Sequence, residues 1–220
     1  MSQLLSGSVE TFLSVASPAA HPVIDEMTRY GTERGFPTVG PDVGQFLTVA
    51  ARMVDADRVF EFGSGYGYSA AWFVQALPAD SEIVLTDYDE ANLATAEGFL
   101  ADLGYDGRAR FRVGDAVETF ESTEGTFDVV LIDLDKEQYV DAFTRASDRV
   151  RDGGIIVADN MMAGPVEPDS VTAALRGEEP VEPATAGIAR YIERVRSASG
   201  FETAFVPLGE GIAISHKRGD

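Results

Sequence analysis

Residues 59–73, VFEFGSGYGYSAAWF, constrain the fold of this chain more than any other stretch. Val59, Phe60 and Phe62 form a short apolar run of strand type. Gly63, Gly65 and Gly67 follow at a spacing of two, and an apolar helical pattern opens at Ala70, Ala71, Trp72 and Val74. Strand, glycine turn and helix make the first unit of a nucleotide-binding sheet, where glycines let the backbone approach a ligand closely. The next apolar run, Ile83–Thr86, ends in Asp87. That places an acid roughly twenty residues after the glycines, where it can grip ribose hydroxyls. A nicotinamide fingerprint would read GxGxxG; here the third glycine falls two positions after the second, and Glu61 lies two residues before the first.

From residue 57 onward strand and helix patterns alternate, which predicts a doubly wound, mostly parallel α/β sheet covered on both faces. Strands are expected near 58–62, 82–87, 109–113, 127–133 and 154–159, with helices at about 67–77, 89–103, 115–121 and 137–150. A last helix near 185–198 leads into Phe201–Val206 and Gly211–Ser215. These two runs suit an antiparallel hairpin on the sheet edge and bring the total to seven strands. Residues 8–55 carry three further helical stripes: Val9, Phe12, Leu13 and Val15 before Pro18; Val23, Ile24, Met27 and Tyr30 before Gly31; and Phe46, Leu47, Val49, Ala50 and Met53. Residues 163–184 hold four prolines and many acids, so an irregular lid is expected at about 161–184. The whole, 1–220, is expected to form one domain, with N-terminal helices over 1–56 and the sheet core over 57–220.

Charge adds a second constraint. The chain carries 37 acids against 17 bases, a net charge of −20, and Lys136 and Lys217 are its only lysines. Such a surface repels nucleic acid and itself at ordinary ionic strength. Because the acids are scattered through a foldable pattern, the composition resembles that of a salt-adapted (halophilic) protein whose repulsion is screened by concentrated salt. Cysteine is absent, which excludes disulfides and thiolate metal sites and fits a cytoplasmic setting. No apolar run reaches the roughly 20 residues that span a bilayer, and the first ten residues lack the basic flank and apolar core of a leader.

Ligands of an open α/β sheet bind beyond the carboxyl ends of its strands. Five such ends carry acids here: Glu61, Asp87, Asp115, Asp133 and Asp159. One group suits a nucleoside, with Asp87 on the ribose and Gly114-Asp115-Ala116 against a base edge. Ser69 and the first amides of the 67–77 helix would hold a carboxylate. Asp115 is also placed to cap the helix that follows it. The other group, Asp133, Asp159 and Asn160, offers two carboxylates and an amide oxygen, hard ligands for Mg²⁺ or Ca²⁺ rather than zinc. Lys136 lies three residues after Asp133, at a helix start where a cation is disfavoured by the dipole, so a chemical role is expected for it.

The glycines with their preceding acid resemble the first motif of S-adenosylmethionine-dependent methyltransferases. The motifs TVGPDVGQFL, EFGSGYGYS, VGDA, FDVVLIDLDKEQY, GGIIVADN and PLGEGIAI follow one another from about residue 38 to the C-terminus. In that order and spacing they resemble the cation-dependent O-methyltransferases of the catechol and caffeoyl-CoA type. The resemblance implies a class I, Rossmann-like methyltransferase domain and transfer of a methyl group to a hydroxyl of a small catechol-like acceptor. By resemblance Val39, Glu61, Gly63, Ser69, Asp87, Asp115, Ala116 and Asp133 fall in the S-adenosylmethionine pocket. Asp133, Asp159 and Asn160 fall on Mg²⁺ (or Mn²⁺ or Ca²⁺), with Lys136 as general base and Asp133 beside it in catalysis. A homodimer through the N-terminal helices is implied as well. Three departures stand out: Asp87 is shorter than the family's frequent Glu, Leu134 replaces a small or polar residue, and Gly65 loosens the glycine turn. Three other readings use the same residues: a tRNA hydroxyuridine methyltransferase, an NAD-dependent oxidoreductase, and a non-catalytic interaction protein on a decayed scaffold. Net −20 opposes the first, and the DLDK and ADN motifs oppose the other two.

Overall fold

The computed structural model describes residues 4–105 and 107–219. Met1–Gln3, Asp106 and Asp220, which the expected domain span and the reading of the first ten residues include, lie outside the described residues. The expected sheet is present. Seven strands, β1 (Arg58–Phe62), β2 (Glu82–Asp87), β3 (Ala109–Val113), β4 (Phe127–Ile132), β5 (Val150–Ala158), β6 (Phe201–Val206) and β7 (Ile212–Lys217), stand in the order β3-β2-β1-β4-β5-β7-β6. The first five pair in parallel, and β7 joins antiparallel to both β5 and β6.

Period-two alternation divides the strand side chains between two apolar layers. Val59, Ile83, Leu85, Val129, Leu131, Ile155 and Val157 pack on one face with α2 (Pro22–Arg34), α3 (Gly40–Met53), α4 (Tyr68–Phe73) and α5 (Glu90–Asp102). Phe60, Phe62, Val84, Val130, Ile132 and Ile156 pack on the other with α6 (Ala116–Ser122), α7 (Tyr139–Arg149) and α9 (Pro183–Arg196). Burial on both faces is why β1 and β4 read as nearly continuous apolar runs.

Several elements differ from the sequence expectation, each for a local reason. α2 runs through Gly31 to Arg34 and ends on Gly35 in the left-handed conformation. Gly31 is needed inside the helix because a Cβ there would lie 2.5 Å from the Tyr66 hydroxyl, which donates to the Met27 carbonyl at 3.0 Å. β5 begins at Val150 rather than 154, and its register with β4 jumps between Phe127↔Val150 and Val129↔Ile155. The Gly153-Gly154 pair lies within that irregularity. α4 stops at Phe73, and a single 3-10 turn, Lys136–Gln138, precedes α7.

The 161–184 segment is not irregular throughout: it contains α8 (Pro168–Leu175), and Val166 and Val171 are buried in the second apolar layer. Two of its four prolines, Pro168 and Pro183, open helices, where the missing N–H costs nothing. α1 (Gly7–Ala16) buries none of its residues, leaving Val9, Phe12 and Val15 exposed, and α3 turns Leu47 and Ala50 inward but Val49 and Met53 outward. Among the described residues no helix is long and apolar enough to cross a membrane.

Candidate active site

The carboxyl ends of β1, β2, β4 and β5 open into a cavity of about 550 Å³. Its first wall is the glycine turn. Gly63, Gly65 and Gly67 all have positive φ, at 82°, 51° and 82°. A Cβ on Gly63 would overlap the Asp133 carbonyl, and one on Gly65 would lie 2.8 Å from the Phe36 ring. Gly65 therefore leaves room for the Phe36 ring at a left-handed position. Ser64 and Thr86 lock it to β2: Ser64 N–H donates to the Thr86 carbonyl (2.8 Å), and Thr86 N–H donates to Ser64 Oγ (3.0 Å). The Asp87 carboxylate accepts from Gly65 N–H (3.0 Å), Asp89 N–H (2.8 Å) and Asn92 Nδ2 (3.2 Å), which fixes it at the cavity edge.

Asp115 caps α6, its Oδ1 accepting from Val117 N–H (2.8 Å) and Glu118 N–H (2.9 Å), while its Oδ2 accepts from the Tyr88 hydroxyl (2.7 Å) and Gln138 Nε2 (3.3 Å). These bonds, the Glu118 amide first and the Tyr88 hydroxyl next, hold its carboxyl below the usual range. Of the sequence-predicted set, Val39, Gly63, Ser69, Asp87, Ala116, Asp133, Lys136, Asp159 and Asn160 line the cavity; Glu61 and Asp115 stand behind its wall. Tyr88 and Gln138, which the sequence did not single out, take the lining positions in front of Asp115.

Glu61 is fully buried inside β1, and neither carboxylate oxygen has a hydrogen-bond partner. Burial pushes its pKa from 4.5 to about 8; the nearby Ser69 and Ser64 hydroxyls ease the shift without closing a bond, and Asp133 adds to it. The consequence for stability has a definite sign. Below the ordinary value both states are protonated and nothing is lost. As pH rises from there to about 8 the unfolded carboxyl ionises while the folded one keeps its proton, so stability falls. Glu61→Gln removes the titration and is expected to raise Tm at pH 8 by several degrees, at ~2–4 °C per kcal/mol, with little change near pH 4. A pH-independent effect in thermal melts would contradict this account.

The floor of the cavity is built where β1, β4 and β5 end side by side. Asp133 N–H donates to the Phe62 carbonyl (2.9 Å) and Asp159 N–H to the Ile132 carbonyl (3.2 Å). Lys136 Nζ lies at their centre. Its three protons are shared among four acceptors: Asn160 Oδ1 (2.5 Å), the Tyr139 hydroxyl (2.7 Å), the Leu134 carbonyl (3.0 Å) and Asp133 Oδ1 (3.2 Å). Tyr139, which closes the FDVVLIDLDKEQY motif but was assigned no role there, donates in turn to the Asp159 carbonyl (3.2 Å). Asp159 is 3% exposed, and its Oδ1 has no partner. Burial, then the Asp133 charge, pushes its pKa up to about 8. Asp133 keeps 31% of its side chain open to the cavity, yet it lies deep enough that burial raises its pKa as well, against the pull of Lys136.

Asn160 has φ of 61°, a left-handed turn that asparagine tolerates, and donates from Nδ2 to Glu210 in the β6–β7 turn. Glu210 stands in the PLGEGIAI motif, and that placement is its one signal in the sequence. Among the described residues no three His, Cys, Asp or Glu side chains gather into a ligand set. The donors at hand are two carboxylates and an amide oxygen around a lysine ammonium, a cation-shaped environment of hard oxygens with one orphaned buried oxygen.

Known proteins share this architecture and its sequence. Residues 14–218 match the family model described as O-methyltransferase. Over 165 residues the chain is 31% identical to catechol O-methyltransferase of Niastella koreensis, covering 72% of this chain and 71% of that protein. Caffeoyl-CoA O-methyltransferase 1 of Arabidopsis thaliana is 27% identical over 197 residues, 82% of this chain and 71% of that protein. Among solved structures, the O-methyltransferase TomG from Streptomyces achromogenes, involved in tomaymycin synthesis and determined with SAM, superposes with a TM-score of 0.84. It does so over 100% of both chains at 23% identity. The O-methyltransferase from Bacillus cereus, determined with SAH, gives 0.82 over 96% of this chain and 97% of that one, at 19% identity. The two structures speak for the fold and the sequence matches for the family, which sets the nicotinamide reading aside: the chain belongs to the S-adenosylmethionine-dependent O-methyltransferases.

Proposed function

We propose that this enzyme transfers the methyl group of S-adenosylmethionine to a hydroxyl of a small catechol-like or other hydroxylated aromatic acceptor, with Lys136 as general base. The observation that carries the reading is the cation environment at the cavity floor, where Lys136 Nζ stands between Asp133 and Asn160 beside the orphaned Asp159 oxygen. Asp133, Asp159 and Asn160 would hold Mg²⁺, or Mn²⁺ or Ca²⁺, their two negative charges balancing a divalent ion. A cation bound there supplies Lewis acidity toward the acceptor's hydroxyls.

The chain's own residues do the rest. Lys136, in its neutral form, takes the hydroxyl proton at Nζ. Tyr139 and the Leu134 carbonyl hold that nitrogen in place. Val39, Gly63, Ser69, Asp87 and Ala116 form the cofactor side, with Asp87 already aimed by three donors. Asp115 acts from behind, steadying Tyr88 and Gln138, and Glu61 underlies the glycine turn. Leu134 and Pro165 give the acceptor an apolar approach, and Gly164 and Pro165 bring the start of the 161–184 segment, the expected lid, to the cavity. Apposing cofactor and acceptor in one cavity supplies much of the rate.

Net −20 favours a small acceptor over tRNA, and the exposed apolar residues of α1 and α3 support a homodimer. The acidic surface and the lack of cysteine support a cytoplasmic enzyme working in concentrated salt as one domain. Methyl transfer from labelled S-adenosylmethionine to catechol, in molar KCl with Mg²⁺ and again with a chelator, tests the reading. Turnover is expected with Mg²⁺ and a loss of about 10²-fold or more on chelation. Turnover that survives chelation would remove the metal and leave Asp159-Asn160 structural.

A further inference from the structure

The side-chain amide of Asn160 lies between two opposite charges. Oδ1 accepts from the Lys136 ammonium, and Nδ2 donates to the Glu210 carboxylate. Turning the amide over would set its NH₂ against the ammonium and its carbonyl oxygen against the carboxylate, replacing two charge-assisted hydrogen bonds by two repulsions. The orientation of the amide is therefore set by a donor on one side and an acceptor on the other. Lys136 cannot be the permanent half of that clamp, because a neutral Nζ about to accept a proton no longer holds the oxygen as an ammonium does. Glu210 has no such second task.

The main chain is shaped to deliver Glu210 to this place. Its carbonyl accepts from Met162 N–H and Ala163 N–H, both at 2.9 Å, and the Gly211 carbonyl accepts from Met161 N–H at 2.8 Å. The turn between β6 and β7 is thus laced to the three residues that follow Asn160. Gly164, at φ of 77°, lies directly against the Glu210 carboxylate, and any Cβ there would overlap it.

We propose that Glu210 is a positioning residue: by accepting from Asn160 Nδ2 it keeps Asn160 Oδ1 turned toward the cation position shared with Asp133 and Asp159. The inference rests on the reading of those three residues as metal ligands and deepens it. Glu210→Gln keeps an acceptor oxygen at the same reach, whereas Glu210→Ala removes it, so the pair separates orientation from charge. Two readouts are required. The chain has only two asparagines, Asn92 and Asn160, so side-chain ¹⁵N labelling of asparagine gives two amide signals. In the metal-free protein one of these is expected to exchange slowly in wild type and Glu210→Gln, and to lose its protection in Glu210→Ala.

In a calorimetric Mn²⁺ titration, Glu210→Ala is expected to weaken binding by about 10–100-fold, the usual cost of losing a partner that orients a ligand, while Glu210→Gln stays within about threefold. Glu210→Leu, which removes the acceptor but keeps the bulk of the side chain, is expected to follow Glu210→Ala and serves should that variant fold poorly. Wild-type affinity in Glu210→Ala would overturn the proposal. Equal loss in Glu210→Gln and Glu210→Ala would also overturn it, because the carboxylate would then act through its own charge. If wild type itself takes no Mn²⁺, the metal reading falls, and amide exchange alone decides: protection lost only in Glu210→Ala supports the orienting role, and unchanged protection overturns it.

Discussion

Lys136→Ala is expected to lower kcat by about 10²- to 10⁴-fold, the usual worth of a positioned base, while S-adenosylmethionine affinity changes less than about threefold. The separation follows from where the ammonium points. All four of its partners, Asp133, Leu134, Tyr139 and Asn160, belong to the floor of the cavity, and none belongs to the glycine turn or to Asp87. Cofactor binding, measured calorimetrically, should therefore survive a substitution that stops proton transfer. Lys136→Arg sharpens the test because a guanidinium keeps the charge but cannot give up its proton near neutral pH. If the nitrogen acts as a base, Arg is nearly as inactive as Ala, and added methylamine restores part of the Ala variant's turnover. An Arg variant within tenfold of wild type would reduce Lys136 to an electrostatic role.

How much of this site could be read from sequence depends on the range of the interaction. The sheet was legible because alternation is local: Val59 and Phe60 go to opposite layers by geometry alone, and the same holds along β4. The acids at strand ends were legible for the same reason, since each ends its own apolar run. What escaped depends on contacts distant in the chain. Gly31 reads as a helix stop until Tyr66, far along the chain, is found above it. Pro168 and Pro183 read as loop markers until their helices are seen to begin on them. Glu210 lies fifty positions from Asn160, and nothing in either neighbourhood announces the other. Asp115 was half legible: its capping role is local, whereas Tyr88 and Gln138 reach it from other strand ends and take the cavity position in its stead.

Asp159→Asn is expected to cut chelator-sensitive turnover by about 10²-fold or more and, in the same protein without metal, to raise Tm. The two effects share one cause. Asp159 is 3% exposed, its Oδ1 has no partner, and Asp133 and Glu210 lie near enough to oppose its charge. A buried carboxylate in that position costs several kcal/mol unless something cationic compensates it. Asparagine keeps the shape and takes up no proton, so above about pH 4 a relief of about 1–3 kcal/mol would appear as a rise in Tm of roughly 2–12 °C.

Mn²⁺ is expected to reverse the ranking. A ligand that binds only the folded state stabilises it by RT ln(1 + [L]/Kd), about 4.1 kcal/mol at a thousandfold excess over Kd. Wild type should gain that increment from Mn²⁺, whereas Asp159→Asn, short of one charged ligand, should gain little. Thermal melts of both proteins with and without Mn²⁺ are then expected to cross: the variant more stable alone, wild type more stable when loaded. If Asp159→Asn gains as much from Mn²⁺ as wild type, the carboxylate is no ligand. If it gains nothing in the absence of metal, the unpaired oxygen is not costing the fold, and its burial must be balanced by Lys136 alone. Melts that cross would tie the stability of this enzyme to a bound cation, through the carboxylate that β5 carries to the cavity floor.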